Sequence, residues 1–240
     1  EAERETPPAN NFLHELQALC KENGTVFIID EMITGFRWHL NGAQKKHNII
    51  PDLSTFGKAL GNGFSIAALV GKKEIMKLGG LYHDKERVFL ISTTHGAENH
   101  SLAAAIATMQ IYKNEPVINT LYAQGEKLRA GIQRSIAEHH LEGFFTLMGL
   151  GCCLLYGTRD NEKKPSQPFR TLFLQETIKR GLLAPQLIVS YSHTDADIQK
   201  TIESVHEALQ VYRKALDEGV EKYLVGRPVQ PVYRKFNNYK

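Results

Sequence analysis

The run Thr25-Val26-Phe27-Ile28-Ile29, closed by Asp30, constrains the fold more than any other stretch of this chain. β-Branched and aromatic residues follow one another with no polar alternation, so the run reads as a strand buried on both faces. Such a strand belongs in a sheet covered by helices. The flanks agree: Phe12, Leu13, Leu16 and Leu19 fall at helical spacing between Phe12 and Glu22, and Asn23-Gly24 ends that helix. Leu53 to Phe56, Ile66 to Val70 and Val88 to Ile91 are further short apolar runs, each bounded by Gly, Pro or polar clusters. His100 to Tyr112 is alanine-rich and helical. Helices set between buried strands predict an α/β layer.

The texture changes after Asn114-Glu115-Pro116. Val117 to Glu138 is a long amphipathic helix, with Val117, Leu121, Leu128 and Ile132 on one face. Phe144 to Leu150 and Cys152 to Tyr156 pair around Gly151, and Arg159 to Pro165 is a polar loop. Phe169 to Arg180 is a helix stopped by Gly181, and Leu187 to Tyr191 is a strand. Asp195 to Leu216 is a helix capped by Thr194, with Asp197 at the third helical position. The expected organisation is a large α/β domain over 1–116, a small α+β domain over 117–225 and a basic surface tail over 226–240.

A chain of 240 residues suffices for one large or two modest domains. Its 42% hydrophobic and 23% charged content is that of a soluble globular protein, and a net charge of +3 argues against a nucleic-acid or membrane partner. No apolar stretch reaches the roughly 18 residues of a membrane span. Cys20, Cys152 and Cys153 lack metal spacing and point to a reducing compartment, with the cytoplasm as the expectation. Glu1 stands where an initiator methionine is usual, so a fragment or processed product is expected.

Asp30 sits at the carboxyl end of its strand, where open α/β sheets bind ligands. It reads as an acid facing that crevice, as a loop cap or as a metal ligand. Glu31 points to the opposite side of an extended chain. Lys58 lies in Thr55-Phe56-Gly57-Lys58-Ala59-Leu60-Gly61-Asn62-Gly63. Lys45, Lys46, Lys72 and Lys73 have polar neighbours and read as surface residues. Lys58 follows an apolar run among glycine, alanine and leucine, so it is expected to be desolvated, which makes an amine a better nucleophile. Ser92-Thr93-Thr94-His95-Gly96, ahead of a helix from about Asn99, suits an anion such as phosphate or a plain helix cap. Asp30 with Lys58 is the pair a pyridoxal phosphate (PLP) enzyme needs: an amine for the Schiff base and a carboxylate that keeps the pyridine nitrogen protonated. Gly61-Asn62-Gly63 lacks the third glycine of a dinucleotide fingerprint. The histidines show no metal spacing, and Cys152-Cys153 reads as small apolar core in a strand.

Four stretches in order carry a family resemblance: Asp30-Glu31-Met32-Ile33-Thr34-Gly35-Phe36-Arg37, Gly42-Ala43-Gln44, Pro51-Asp52-Leu53 and Gly57-Lys58. Together they resemble the class-III, fold-type-I PLP aminotransferases, nearest to the glutamate-1-semialdehyde 2,1-aminomutases. The likeness continues through Leu183-Ala184-Pro185 and Ser192-His193-Thr194-Asp195. It implies the C-terminal portion of the PLP-binding large domain followed by a small α+β domain. It also implies that Asp30 is the pyridinium partner, that Met32 lies against the ring and that Lys58 is the Schiff-base lysine and proton shuttle. Thr94 matches a threonine that reaches the cofactor phosphate of the neighbouring subunit, so a homodimer with a shared site is expected, acting on a small amino or oxo substrate. Family chains are longer, and their first part carries a phosphate loop and a stacking aromatic ring that have no counterpart here. The mutases follow their threonine with a Ser-Gly-Asn-Pro-type run, where this chain has His95-Gly96-Ala97-Glu98-Asn99-His100. They also carry a small-domain glutamate that Gln186-Leu187-Ile188-Val189-Ser190-Tyr191 does not supply. An intramolecular aminomutase is thus set beside an aminotransferase with a separate oxo-acid acceptor, and beside a scaffold that keeps the fold without activity.

Overall fold

The computed structural model describes residues 8–86 and 96–230. The chain divides into two compact units, Glu1–Leu121 and Tyr122–Lys240.

In the first unit, helix α1 (Phe12–Glu22) ends where the Asn23 side chain donates to the Leu19 carbonyl and Gly24 takes a φ of 62°. Strand β1 (Ile28–Asp30) leads through a long connection holding the short helix α2 (Gly42–Lys46) to strand β2 (Leu53–Phe56). The two strands are parallel, pairing Ile28 with Leu53, Ile29 with Ser54 and Asp30 with Thr55. Strand β3 (Ala68–Gly71) adds antiparallel to the other edge of β2, followed by the one-turn helix α3 (Lys73–Met76) and the long helix α4 (Asn99–Asn114). At the start of β2, Asp52 accepts the Lys72 ammonium at 2.5 Å and the Phe27 N–H at 2.7 Å. Those two partners, Lys72 foremost, hold its carboxyl below the usual aspartate range.

Two expectations change here. The 25–29 run is not buried on both faces: Ile28 is 52% exposed, and regular pairing starts only at residue 28. Successive side chains point to opposite faces, so the run buries Phe27 and leaves Val26 and Ile28 exposed. Strand β3 begins at Ala68 rather than Ile66, because the Ile66 side chain lies against Gly61 and stays in the preceding turn. The run at Val88 to Ile91 lies outside the described residues.

Helix α5 (Val117–Glu138) runs across the division between the units. In the second unit, β4 (Phe145–Met148) and β5 (Leu155–Thr158) form an antiparallel pair backed by α6 (Gln167–Lys179) and α7 (Asp195–Glu218). The core is Ile132, Phe145, Leu172, Phe173, Val205 and Tyr212, all fully buried. Gly125 sits in mid-helix, where glycine costs about 1 kcal/mol, because a methyl there would collide with the Gly151 carbonyl. Thr194 and Asp197 form the expected reciprocal cap of α7. Cys152 and Cys153 are buried but lie in a 3-10 turn, not a strand. The Leu187 to Tyr191 segment is no strand either: it makes one bridge, Leu187 to Leu154, before Ser190 and His193 close a turn. At the start of the tail, the Val229 N–H donates to Thr171 on α6.

Tyr212 locks this unit. Its hydroxyl donates to the Arg159 carbonyl at 2.6 Å and accepts the Arg159 N–H at 2.9 Å, and burial pushes its pKa well above that of free tyrosine. Tyr212→Phe removes these bonds, and a longer one to the Phe144 carbonyl at 3.2 Å, without changing the ring. It is expected to cost about 1–2 kcal/mol in denaturant unfolding; an unchanged midpoint would show that the hydroxyl adds nothing.

Candidate active site

The parallel ladder fixes where Asp30 and Lys58, the two residues expected to carry the chemistry, emerge. Asp30 ends β1 in register with Thr55, and Lys58 follows three positions further along the next strand's course. Both leave the sheet at the carboxyl ends of adjacent parallel strands, the edge where open α/β sheets take their ligands. Both are exposed. The Asp30 Oδ1 accepts the Met32 N–H at 2.9 Å and the Thr55 hydroxyl at 3.2 Å. Met32 then links the acid to the lysine turn: its thioether end lies against Gly57, where any Cβ would overlap it. Lys58 opens a 3-10 turn closed by Leu60 N–H to Gly57 carbonyl and Asn62 N–H to Lys58 carbonyl, each 3.0 Å.

The apolar neighbours of Lys58 in sequence do not desolvate it, contrary to expectation. Lys58 has a φ of 45°, a left-handed conformation that costs a non-glycine residue about 1–2 kcal/mol. The backbone reversal sends Leu60 into the core and leaves Lys58 in solvent. Strain of this kind collects at functional positions.

Beneath the exposed pair lies an acid whose role was not read from the sequence. Glu31 is fully buried and faces away from the Asp30 side, as strand alternation requires. Its carboxylate accepts the Ala43 and Gln44 N–H groups at 2.8 Å each, together with the Thr34 hydroxyl. Gln44 in turn donates to Ser54 on β2 at 3.2 Å. Gly42, at φ 77°, leaves no room for a side chain beside that carboxylate. Glu31 therefore folds the connection from 31 to 46 back onto the strand end. The Phe36 ring packs edge-on between Phe56 and Tyr112, and the Tyr112 hydroxyl donates to the Phe36 carbonyl, tying α4 to the same loop. Thr55 likewise lies outside the sequence expectation. Its signal was positional, since it ends the strand beside Asp30 and carries a hydroxyl.

Thr94 and the Ser92 to His95 segment lie outside the described residues. The Gly61-Asn62-Gly63 turn is largely exposed and uses left-handed conformations at Asn62 and Gly63. Among the described residues no group of three His, Cys, Asp or Glu side chains is placed to hold a metal ion, and no helix is long and apolar enough to cross a membrane.

Residues 5–209 match the family model described as aminotransferase class-III. A 3-aminobutyryl-CoA aminotransferase of Cloacimonas acidaminovorans (strain Evry) is 32% identical over 212 residues, covering 87% of this chain and 49% of its own length. A glutamate-1-semialdehyde 2,1-aminomutase of Chlorobium luteolum is also 32% identical, over 223 residues, covering 87% of this chain and 50% of its own. Among solved structures, the FumI protein of Sphingopyxis sp. MTA144 in its PLP internal aldimine form superposes with a TM-score of 0.75 at 24% identity, over 88% of this chain and 49% of that one. An omega-transaminase from Sphaerobacter thermophilus gives 0.73 at 23%, over 87% and 50%. The chain thus has the α/β fold of these proteins and spans about half the length of the curated relatives it matches.

Proposed function

This chain belongs to the class-III aminotransferases, a PLP-dependent family, and from that premise we propose that it supplies the anchoring lysine and the ring-nitrogen acid of an amino-group-transfer site. One observation carries the reading: Asp30 and Lys58 leave adjacent parallel strands at the same edge, exposed and joined through Met32. The donor set fits the cofactor. PLP calls for an amine at its aldehyde carbon and an anion at its ring nitrogen, and this edge presents one of each.

When bound, PLP supplies the electron sink that stabilises negative charge at the substrate α-carbon. Lys58 Nζ would hold the cofactor and, once a substrate amine takes its place, would carry the proton between the substrate α-carbon and the cofactor's C4′ carbon. The Asp30 carboxylate keeps a proton on the ring nitrogen. Met32 offers an apolar contact to the ring face. Thr94 is assigned to the cofactor phosphate of a neighbouring subunit on the family resemblance, which makes the working assembly a homodimer.

The finer reading is an intramolecular, glutamate-1-semialdehyde aminomutase-like transfer, supported by the ordered motifs from Asp30 to Lys58. The residues after Thr94 and after Pro185 favour the second reading, transfer to a separate oxo acid, because both depart from the mutase pattern. Incubating the complete protein with glutamate 1-semialdehyde and no oxo acid separates the two. Formation of 5-aminolevulinate is the result expected of the mutase. Strict dependence of turnover on an added oxo acid would sink it and leave the aminotransferase. Absence of both reactions across amino donors would favour the scaffold.

A further inference from the structure

Among the described residues, the two hydrogen bonds to the Asp30 carboxylate land on the same oxygen. Oδ1 accepts one main-chain donor, the Met32 N–H, and one side-chain donor, the Thr55 hydroxyl. Thr55 is the register partner of Asp30 across the parallel ladder, is half-buried, and accepts the Glu31 N–H on its carbonyl at 2.9 Å. Its backbone is therefore fixed by the sheet, and its β-branch restricts the hydroxyl to few rotamers. The outer torsion of an aspartate is broad and roughly two-fold, so a lone donor leaves the carboxylate plane loosely set. Two donors converging on Oδ1, one from the turn that follows β1 and one from β2, set it.

We propose that Thr55 is a positioning residue for the cofactor: with the Met32 amide it saturates Asp30 Oδ1 and so presents Oδ2 to the pyridinium nitrogen of PLP. The inference rests on the PLP reading of Asp30 and Lys58. No bond is made or broken by Thr55. It acts only through the orientation of the acid beside it, on the strand that also delivers Lys58.

The test uses the complete protein loaded with PLP. Thr55→Val keeps the branched shape and loses the donor, whereas Thr55→Ser keeps the donor. The dissociation constant for PLP, read by equilibrium dialysis and visible absorbance, is expected to rise about tenfold in Thr55→Val. The turnover number falls with it, while KM for the amino substrate stays within about twofold of the parent value. Thr55→Ser brings the PLP constant back to within about threefold. A Thr55→Val protein that holds PLP as tightly as the parent overturns the proposal, and so does a Thr55→Ser protein no better than Thr55→Val. If the valine variant fails to fold, Thr55→Ala removes the same hydroxyl and is read in the same way. Failure of the underlying PLP reading has a different signature. There the parent takes up no PLP, or Lys58→Ala keeps the parent's covalent absorbance band, and the proposal for Thr55 falls with it.

Discussion

Lys58→Ala in the complete protein is expected to abolish the covalent PLP absorbance band and to lower amino-transfer turnover by roughly a thousandfold or more, since it removes both the cofactor's anchor and the proton shuttle. Compared as cofactor-free proteins, the variant and the parent should share one thermal midpoint. The lysine side chain is exposed, and alanine keeps the left-handed φ of 45° with the same Cβ penalty. Lys58→Gly separates the two roles further. It loses the amine equally but relieves the backbone, so it melts no lower than Lys58→Ala. A left-handed conformation at an exposed lysine adds nothing to stability, and the proposed role of the amine accounts for it. Survival of the covalent band in Lys58→Ala would remove Lys58 from the site altogether.

Local periodicity made the helices legible. α1 and α5 fall on their expected ranges, and the cap of α7 was readable from Thr194 and Asp197 alone, because those signals lie within a few residues of the structure they specify. The strands were less so. Apolar content at Ile28 and Ile66 could not say which neighbour each would meet, and Leu187 to Tyr191 has strand composition but, among the described residues, forms a single bridge rather than a ladder. The site divides in the same way. Asp30 and Lys58 stand out as candidates because an acid at a strand end and a lysine in a glycine turn are unusual in one dimension. Glu31 does not, because its partners Ala43 and Gln44 are backbone amides twelve and thirteen residues away and carry no side-chain signature. Thr55 was hidden for a related reason: its contact with Asp30 exists only once the parallel register is set. Lys58 is exposed where the sequence predicts a desolvated lysine, because the backbone reversal separates it from the apolar residues that precede it.

Glu31→Ala is expected to be the most destabilising single change in the first unit. The substitution strands the Ala43 and Gln44 N–H groups and the Thr34 hydroxyl in a cavity shaped for a carboxylate, with Gly42 too constrained to fill it. Each stranded donor costs about 1–3 kcal/mol, partly offset by solvent reaching the loop, for a net loss of roughly 3–5 kcal/mol. Glu31→Gln should lose less. Its single carbonyl oxygen can accept one of the two amides, while its NH2 group meets the other donor head-on. Because the loop that Glu31 folds also begins with Met32, whose amide holds Asp30, PLP affinity should fall in the same order, alanine below glutamine below the parent protein. Denaturant unfolding of the complete protein, followed in parallel with PLP titration, checks both. A Glu31→Ala protein that unfolds within about 1 kcal/mol of the parent would show that the buried carboxylate does not hold the loop. Stability lost with PLP affinity unchanged would show that the loop's fold and the orientation of Asp30 are independent. The opposite pattern, function lost without stability, is what Lys58 predicts. The two substitutions together therefore separate the residue that performs the chemistry from the residue that builds the surface it works on.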